Sequence, residues 1–202
     1  MLRAFDRKRL EDYIDSFLNE IRILAENDIR KGYSKSIIVN NVINMTVEKV
    51  TPETKMLLTS TYYLLEEQTL EKEIYSNPHN KAAFYERDIL KELEEKFDFK
   101  IPENFTLNEG REKIKKLEVA GVIVVSSGAI SLLLDSCVPL GLGVGIVLVG
   151  IMAYTIQNNS KNNIEKTVNI YLSNVKNTLM QWILNIVDFY ESKVKELEKG
   201  FA

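Results

Sequence analysis

The sequence predicts an all-α protein: a multi-helix bundle of amphipathic helices around or flanking a hydrophobic helical hairpin. Apolar residues recur at three- and four-residue steps along most of the chain, and no strand-like alternation of useful length is present. Residues Val119–Ile156 contain one charged residue, Asp135. The 202 residues suffice for one domain, 1–202. It divides into amphipathic N-terminal helices (1–104), a helix leading into the hairpin (106–157) and a long C-terminal helix (161–200).

The N-terminal stretch predicts two helices joined by a short turn. The first should end near Lys31-Gly32, and Ser34 can cap the second. The second helix carries the apolar residues Ile37, Ile38, Val42 and Ile43. The apolar stripe of the first helix comprises Phe5, Leu10, Tyr13, Ile14, Phe17, Ile21 and Leu24.

Three proline motifs predict the next helix boundaries. The second helix should stop before Thr51-Pro52-Glu53, where Thr caps a third helix and Pro occupies its first turn. The third helix should break at Ser76-Asn77-Pro78. A fourth, with the sequence AAFYERDILKELEEKF, should run without interruption and end before Lys100-Ile101-Pro102.

A capping-box pattern at Thr106–Glu109 predicts a helix that runs into the apolar segment. After Ile156 a polar run interrupts the chain, and a long last helix follows. Tyr63 and Trp182 lie on helical stripes, which favours core packing. The stripe of the last helix comprises Ile164, Val168, Leu172, Val175, Leu179, Trp182, Ile186, Tyr190, Val194 and Leu197.

The apolar segment predicts a membrane hairpin. Its arms, from Val119 to Leu134 and from Val138 to Ile156, would form helices of about 24 and 28 Å, close to the ~30 Å of a bilayer core. Asp135 and Pro139 predict the turn between them, because proline cannot continue the preceding helix. Basic residues flank the arms and none lies in the turn, which predicts cytoplasmic termini. These flanking residues are Arg111, Lys113, Lys115, Lys116, Lys161 and Lys166.

Glycines within both arms predict close packing of the two helices. Gly141 and Gly145 form a small-xxx-small pair, and Gly150 lies in the same arm. Gly121 and Gly128 can oppose them from the first arm. Each glycine costs a helix about 1 kcal/mol relative to alanine, so the set requires a packing reason.

The environment of this hairpin has alternatives. It can be inserted in a lipid bilayer, buried in a water-soluble form of the bundle, or buried in an oligomer with copies of the chain. A related alternative function is a non-enzymatic scaffold whose long C-terminal stripe binds a helical protein partner. If the hairpin inserts, Asp135 must reach or cross the far surface, and its protonation would ease this step.

Charge and composition exclude several classes of function. The formal charge of −3 and the pI near 5.4 argue against nucleic-acid binding. Gly145 and Gly150 fit neither a phosphate-binding loop nor a dinucleotide fingerprint. With His79 and Cys137 as the only residues of their types, no metal site, nucleophilic catalysis, cofactor or enzyme activity is predicted. Glu66-Glu67 and Glu94-Glu95 are read as solvated faces, since neighbouring residues on a helix point apart.

The Val138-Pro139-Leu140-Gly141 turn, set in an apolar hairpin among amphipathic helices, resembles the pore-forming domain of colicins. That resemblance implies a soluble bundle that opens on a membrane and inserts its buried hairpin, as a pore-forming toxin does. The hairpin here is followed by about 45 residues, which is longer than the colicin pattern.

Overall fold

The computed structural model describes residues 2–97 and 163–201, and within these ranges it is all-α, as the sequence predicts. Five α-helices and one 3₁₀ helix account for nearly all of the described chain, which contains no strand. They are α1 (Ala4–Arg30), α2 (Lys35–Leu70), a 3₁₀ helix (Glu73–Ser76), α3 (Pro78–Glu86), α4 (Ile89–Phe97) and α5 (Ile164–Glu198).

The helices α1 and α2 form an antiparallel pair. Near the turn at residues 31–34, Asn41 Nδ2 donates to Asp28 Oδ2 at 2.8 Å. At the opposite end of the pair, Gln68 Nε2 donates to Asp6 Oδ2 at 3.1 Å. The first residues of one helix therefore lie beside the last residues of the other.

The long helix α5 completes a three-helix bundle with α1 and α2. Arg22 Nε donates to Asn169 Oδ1 at 3.0 Å, and Lys176 Nζ lies 2.8 Å from Asp15 Oδ2. These pairs run in opposite directions along the two helices, so α5 is antiparallel to α1 and parallel to α2. We call the end that carries the 31–34 turn and Asn163 the turn end, and the end that carries the 3₁₀ helix the distal end.

The apolar stripes predicted for α1 and α5 largely form the core. The stripe of α5 is buried or partly buried along its whole length, which confirms its predicted period. In α1 the middle of the stripe is buried at Leu10, Ile14, Phe17 and Ile21. The prediction was wrong for Phe5, Tyr13 and Leu24, which are exposed because they lie toward the outer face of the helix.

The predicted break before Pro52 was wrong, because α2 continues through this residue. Proline removes the N–H that would bond the carbonyl of Glu48, but Pro52 and Glu48 are both on the exposed side of the helix, where water can reach that carbonyl. Thr51 Oγ1 donates to the Val47 carbonyl at 2.6 Å. The core residue Val50 is fully buried just before the proline. Packing on the inner face therefore holds both halves of α2 in one helix.

The predicted continuous fourth helix was also wrong, because the chain breaks at Asp88. This residue has φ 48°, in the left-handed region where a helix commonly ends. Its side chain then faces the start of α4, with the Lys91 backbone N–H 3.4 Å from Asp88 Oδ1. One residue therefore ends α3 and caps α4. The reversal lets Phe84, Ile89 and Leu93 all enter the core.

Other helix ends follow local chemistry. Gly32 has φ +74° after α1, and Tyr33 N–H donates to the Asp28 carbonyl at 3.3 Å in a Schellman arrangement, which confirms the predicted end. Ser34 occupies the predicted cap position of α2 without making a side-chain cap hydrogen bond. Asn77 caps α3, with Pro78 in its first turn, but α2 ends earlier than predicted, at Leu70.

Candidate functional site

The residues predicted to form the membrane hairpin lie outside the described part of the chain, so their placement stays a prediction. The same holds for Cys137 and for the basic residues preceding the first arm. Only Lys166 of the predicted set falls within the described ranges. The hairpin residues concerned are Val119, Gly121, Gly128, Asp135, Pro139, Gly141, Gly145, Gly150 and Ile156, and the flanking ones are Arg111, Lys113, Lys115, Lys116 and Lys161.

Lys166 is exposed in the first turn of α5, where the chain re-enters the bundle. The helix begins at a cap that was not predicted: Asn163 Oδ1 accepts a hydrogen bond from the Glu165 backbone N–H at 3.1 Å. A concavity of about 460 Å³ borders this part of α5. Most of the residues that line it are polar or charged, among them Asn169 and Asn174. The start of α5 is therefore anchored by its cap and presents polar and charged groups.

The turn end combines exposed cations with exposed apolar side chains. Arg30 has 71% of its side-chain surface exposed, and Lys31 and Lys35 are exposed as well. Near them in the sequence, Tyr33 is 44% exposed and Ile37 is 47% exposed. No Asp or Glu occurs from residue 29 to residue 47. Sequence periodicity missed this surface, because it forms only where the end of α1 meets the beginning of α2.

A groove of about 520 Å³ lies between α2, α4 and α5, at the place where α4 ends. Phe97 and Trp182 line it with little exposed surface, and the burial of Trp182 confirms its predicted place in the core. The same prediction was wrong for Tyr63, which is 56% exposed, whereas its neighbour Tyr62 is buried. Tyr62 packs edge-on against Tyr190 with ring centroids 5.9 Å apart, so α2 turns Tyr62 inward at this position.

The acidic and histidine candidates are scattered over the surface of the described residues. Glu94 and Glu95 are exposed at the groove, and Glu67 is exposed on α2, in agreement with solvated faces. Glu66 is half-buried, and this burial raises the pKa of its carboxyl. His79 is exposed in the first turn of α3. Within residues 2–97 and 163–201, no three His, Cys, Asp or Glu side chains are grouped to hold a metal ion.

The tyrosines of the bundle are structural groups. Burial raises the pKa of Tyr62 and Tyr190, and the Tyr190 hydroxyl donates to Thr69 Oγ1 at 2.9 Å inside the core. On the surface, the hydrogen bond from the Tyr13 hydroxyl to the Glu53 carboxylate raises the pKa of Tyr13 to about 12. All three phenols stay protonated at physiological pH, so their raised pKa values do not indicate catalysis.

None of the helices in the described ranges combines the length and apolarity needed to cross a membrane. Comparisons with protein-family models, with characterised proteins and with solved structures found no significant match.

Proposed function

We propose that this protein engages a lipid bilayer by inserting residues Val119–Ile156 as a helical hairpin, with the helical bundle remaining in the aqueous phase. The observation that carries the proposal is the 38-residue segment with one charge, placed between the charge-rich elements α4 and α5. A stretch of 16 residues and one of 19, separated by Asp135, approach or reach the ~17–25 residues that a spanning helix needs.

The packing of the bundle supports lipid as the cover for this segment. A water-soluble form would have to surround the hairpin with the apolar faces of amphipathic helices. The described stripes of α1, α2, α4 and α5 already form one hydrophobic cluster with one another. These faces are occupied, which favours a bilayer over the bundle itself as the environment of the hairpin.

The resemblance to colicin pore-forming domains extends the proposal to permeabilisation of the membrane. In that pattern a helical bundle carries an apolar hairpin into a bilayer. Asp135 sits at the predicted tip, and moving its carboxylate through hydrocarbon is costly unless it is protonated. Insertion should therefore be stronger at pH 5 than at pH 8.

The test uses the full chain, diluted from a mild detergent into vesicles of phosphatidylcholine and phosphatidylglycerol. We expect carbonate-resistant association with the vesicles and release of an encapsulated dye. Leu148→Lys places a charge in the middle of the second arm, which costs about 3 kcal/mol and should reduce insertion ~100-fold. The matched control is Ser60→Lys, which adds the same charge at an exposed position of α2.

Circular dichroism should show that both variants retain the helical content of the parent protein. The proposal is overturned if the parent protein stays in the supernatant, or if Leu148→Lys inserts as well as Ser60→Lys. The role of Asp135 is tested separately, because Asp135→Asn should insert equally at pH 5 and pH 8. A pH dependence that persists in Asp135→Asn would remove Asp135 as its origin.

A further inference from the structure

We infer that the turn end of the bundle is a docking surface for an anionic lipid bilayer, so that the bundle stands with its distal end away from the membrane. This inference rests on the proposed function, because it names the surface and the lipid class that the membrane-engaging protein uses. The docking surface is defined by Arg30, Lys31, Tyr33, Lys35 and Ile37.

The first argument is the length of the chain that joins the apolar segment to α5. Seven peptide steps lead from Ile156 to Asn163, and a fully extended chain of this length reaches at most about 25 Å. The other connection, from Phe97 to Val119, has 22 steps and could reach ~75 Å, so it sets no useful limit. An inserted second arm therefore keeps Asn163 near the membrane.

The second argument is that Asn163 lies at the same end of the bundle as the docking surface. Asn169 is hydrogen-bonded to Arg22, and six residues of helix separate it from Asn163, or about 9 Å along the axis. Because α5 is antiparallel to α1, the stretch of α5 from Asn169 back to Asn163 runs toward Arg30 and the turn. The short connection thus reaches the bundle at the turn end, whereas Glu198 lies about 50 Å away at the distal end.

The third argument is the chemistry of the two ends. Residues 29–47 carry three cations and no acid, and Lys166 adds an exposed cation at the start of α5. The last turns of α2 carry Glu66 and Glu67, and Glu71, which follows the helix, is ion-paired with Arg3. An anionic surface therefore attracts residues 29–47 more strongly than it attracts the end of α2, within a Debye length of the lipid.

The exposed apolar groups of the turn end fit a bilayer interface. Tyr33 and Ile37 are exposed on the same surface as the cations, and Lys31 Nζ lies 5.9 Å from the centre of the Tyr33 ring. A tyrosine combines an apolar ring with a polar tip and favours the headgroup region, while lysine keeps its charge among the phosphates. Cations and apolar side chains on one small surface are the combination that peripheral membrane contacts use.

The first experiment compares two pairs of charge-removing substitutions. Lys31→Gln with Lys35→Gln should weaken the initial, salt-sensitive binding to vesicles of 30% phosphatidylglycerol by ~30-fold, as expected for two basic residues at an anionic surface. The control pair is Lys81→Gln with Lys91→Gln, exposed on α3 and α4 toward the distal end. The control should bind like the parent, and vesicles of pure phosphatidylcholine should remove the difference. Equal binding of the two pairs to anionic vesicles, or equal binding of the parent protein to anionic and neutral vesicles, overturns the inference.

The second experiment reports orientation. In a Cys137→Ser background, a polarity-sensitive dye is attached at Ser36→Cys on the turn end or at Ser76→Cys on the distal end, both of which are exposed positions. We expect a blue shift and quenching by brominated lipid at residue 36 only. A shift at both positions, or at residue 76 alone, overturns the upright orientation.

The two proposals fail in distinguishable ways. The docking surface is wrong, and the inserting hairpin stands, if carbonate-resistant insertion persists while the two substitution pairs bind vesicles equally and the dye responds equally at residues 36 and 76. If the parent protein binds reversibly through the turn end without carbonate-resistant insertion, the hairpin proposal fails and the docking surface stands.

Discussion

Two positions in the chain differ in whether the helix continues, and in each case the result is the opposite of what the local sequence favours. At Pro52 the sequence contains a strong helix breaker, yet α2 runs through it for 36 residues. At Asp88 the sequence contains neither proline nor glycine, yet the chain leaves the helix with φ 48°. A proline in a helix interior costs ~3 kcal/mol and a left-handed residue about 1–2 kcal/mol, so neither local cost decides the outcome.

The difference lies in what each arrangement buries. A straight α2 places Val50, Leu57 and Thr61 in one line against α1 and α5. A straight continuation of α3 would instead carry α4 away from the bundle, whereas the turn at Asp88 returns Ile89 and Leu93 to it. Burial of several large side chains outweighs one unfavourable backbone position.

The largest expected effect comes from removing packing beside Pro52. Leu57→Ala deletes a fully buried side chain and should lower the free energy of unfolding by about 2–5 kcal/mol, measured by urea denaturation. Met56→Ala, at a neighbouring residue that is 55% exposed, is the matched control and should change it by under ~0.5 kcal/mol. Equal effects of the two substitutions would mean that packing on the inner face does not hold α2 together.

The next effect concerns the backbone of Asp88. Asp88→Val introduces a β-branched residue at positive φ and removes the contact with the Lys91 N–H. We therefore expect the free energy of unfolding to fall by about 2 kcal/mol. Asp88→Asn should stay close to the parent protein, because asparagine tolerates the left-handed region and can cap a helix. Thermal unfolding followed by circular dichroism measures both, and a stable valine variant would show that α3 and α4 can join.

A smaller effect, of opposite sign, is expected at Pro52. Pro52→Ala restores a backbone donor to the Glu48 carbonyl but gives the unfolded chain more freedom. The free energy of unfolding should therefore rise by a net amount of about 1 kcal/mol. Pro52→Gly restores the same donor with a poorer helix former and should gain little or nothing. If the alanine variant is less stable than the parent protein, then the proline favours α2 in a way that packing alone does not explain.

The smallest expected effect is a pH dependence of stability that arises in α2, beside the turn at Asp88. Burial raises the pKa of Glu66 above the unfolded value of 4.5, so folding favours the protonated form. This favourable contribution is present below pH 4.5 and is lost as the pH rises through the folded pKa. Glu66→Gln should therefore have a higher Tm than the parent at pH 7, and the advantage should vanish at pH 4. The matched control is Glu67→Gln, which removes the same charge at the exposed neighbouring position.

The elements that the sequence predicted well are those in which one local signal acts alone. The stripe from Val168 to Val194 has a helical period over many turns and contains no breaker, and α5 follows it. Gly32 ends α1 because its left-handed conformation and the polar turn agree. At Pro52 and Asp88 the local signal competes with contacts to other helices, and a local sequence pattern does not contain the energy of those contacts.

The candidate sites divide in a similar way. The apolar segment is visible in the sequence because its signal is the absence of charge over 38 consecutive residues. The turn end was not predicted, because only the fold places its cations and the exposed Tyr33 and Ile37 at the same end of the bundle as Asn163. Tyr62 and Tyr63 are adjacent and chemically identical, and only the rotation of α2 against α5 decides which of them is buried.

The amino-acid sequence by itself determined the all-α class, the apolar faces of the long helices and the position of the uncharged segment. Periodicity and composition encode these properties over a few turns of chain. The tertiary structure decided which breakers act, which tyrosine enters the core and which end of the bundle carries the cations beside the start of α5. These outcomes depend on contacts between residues far apart in sequence, whose combined burial exceeds the local backbone preferences.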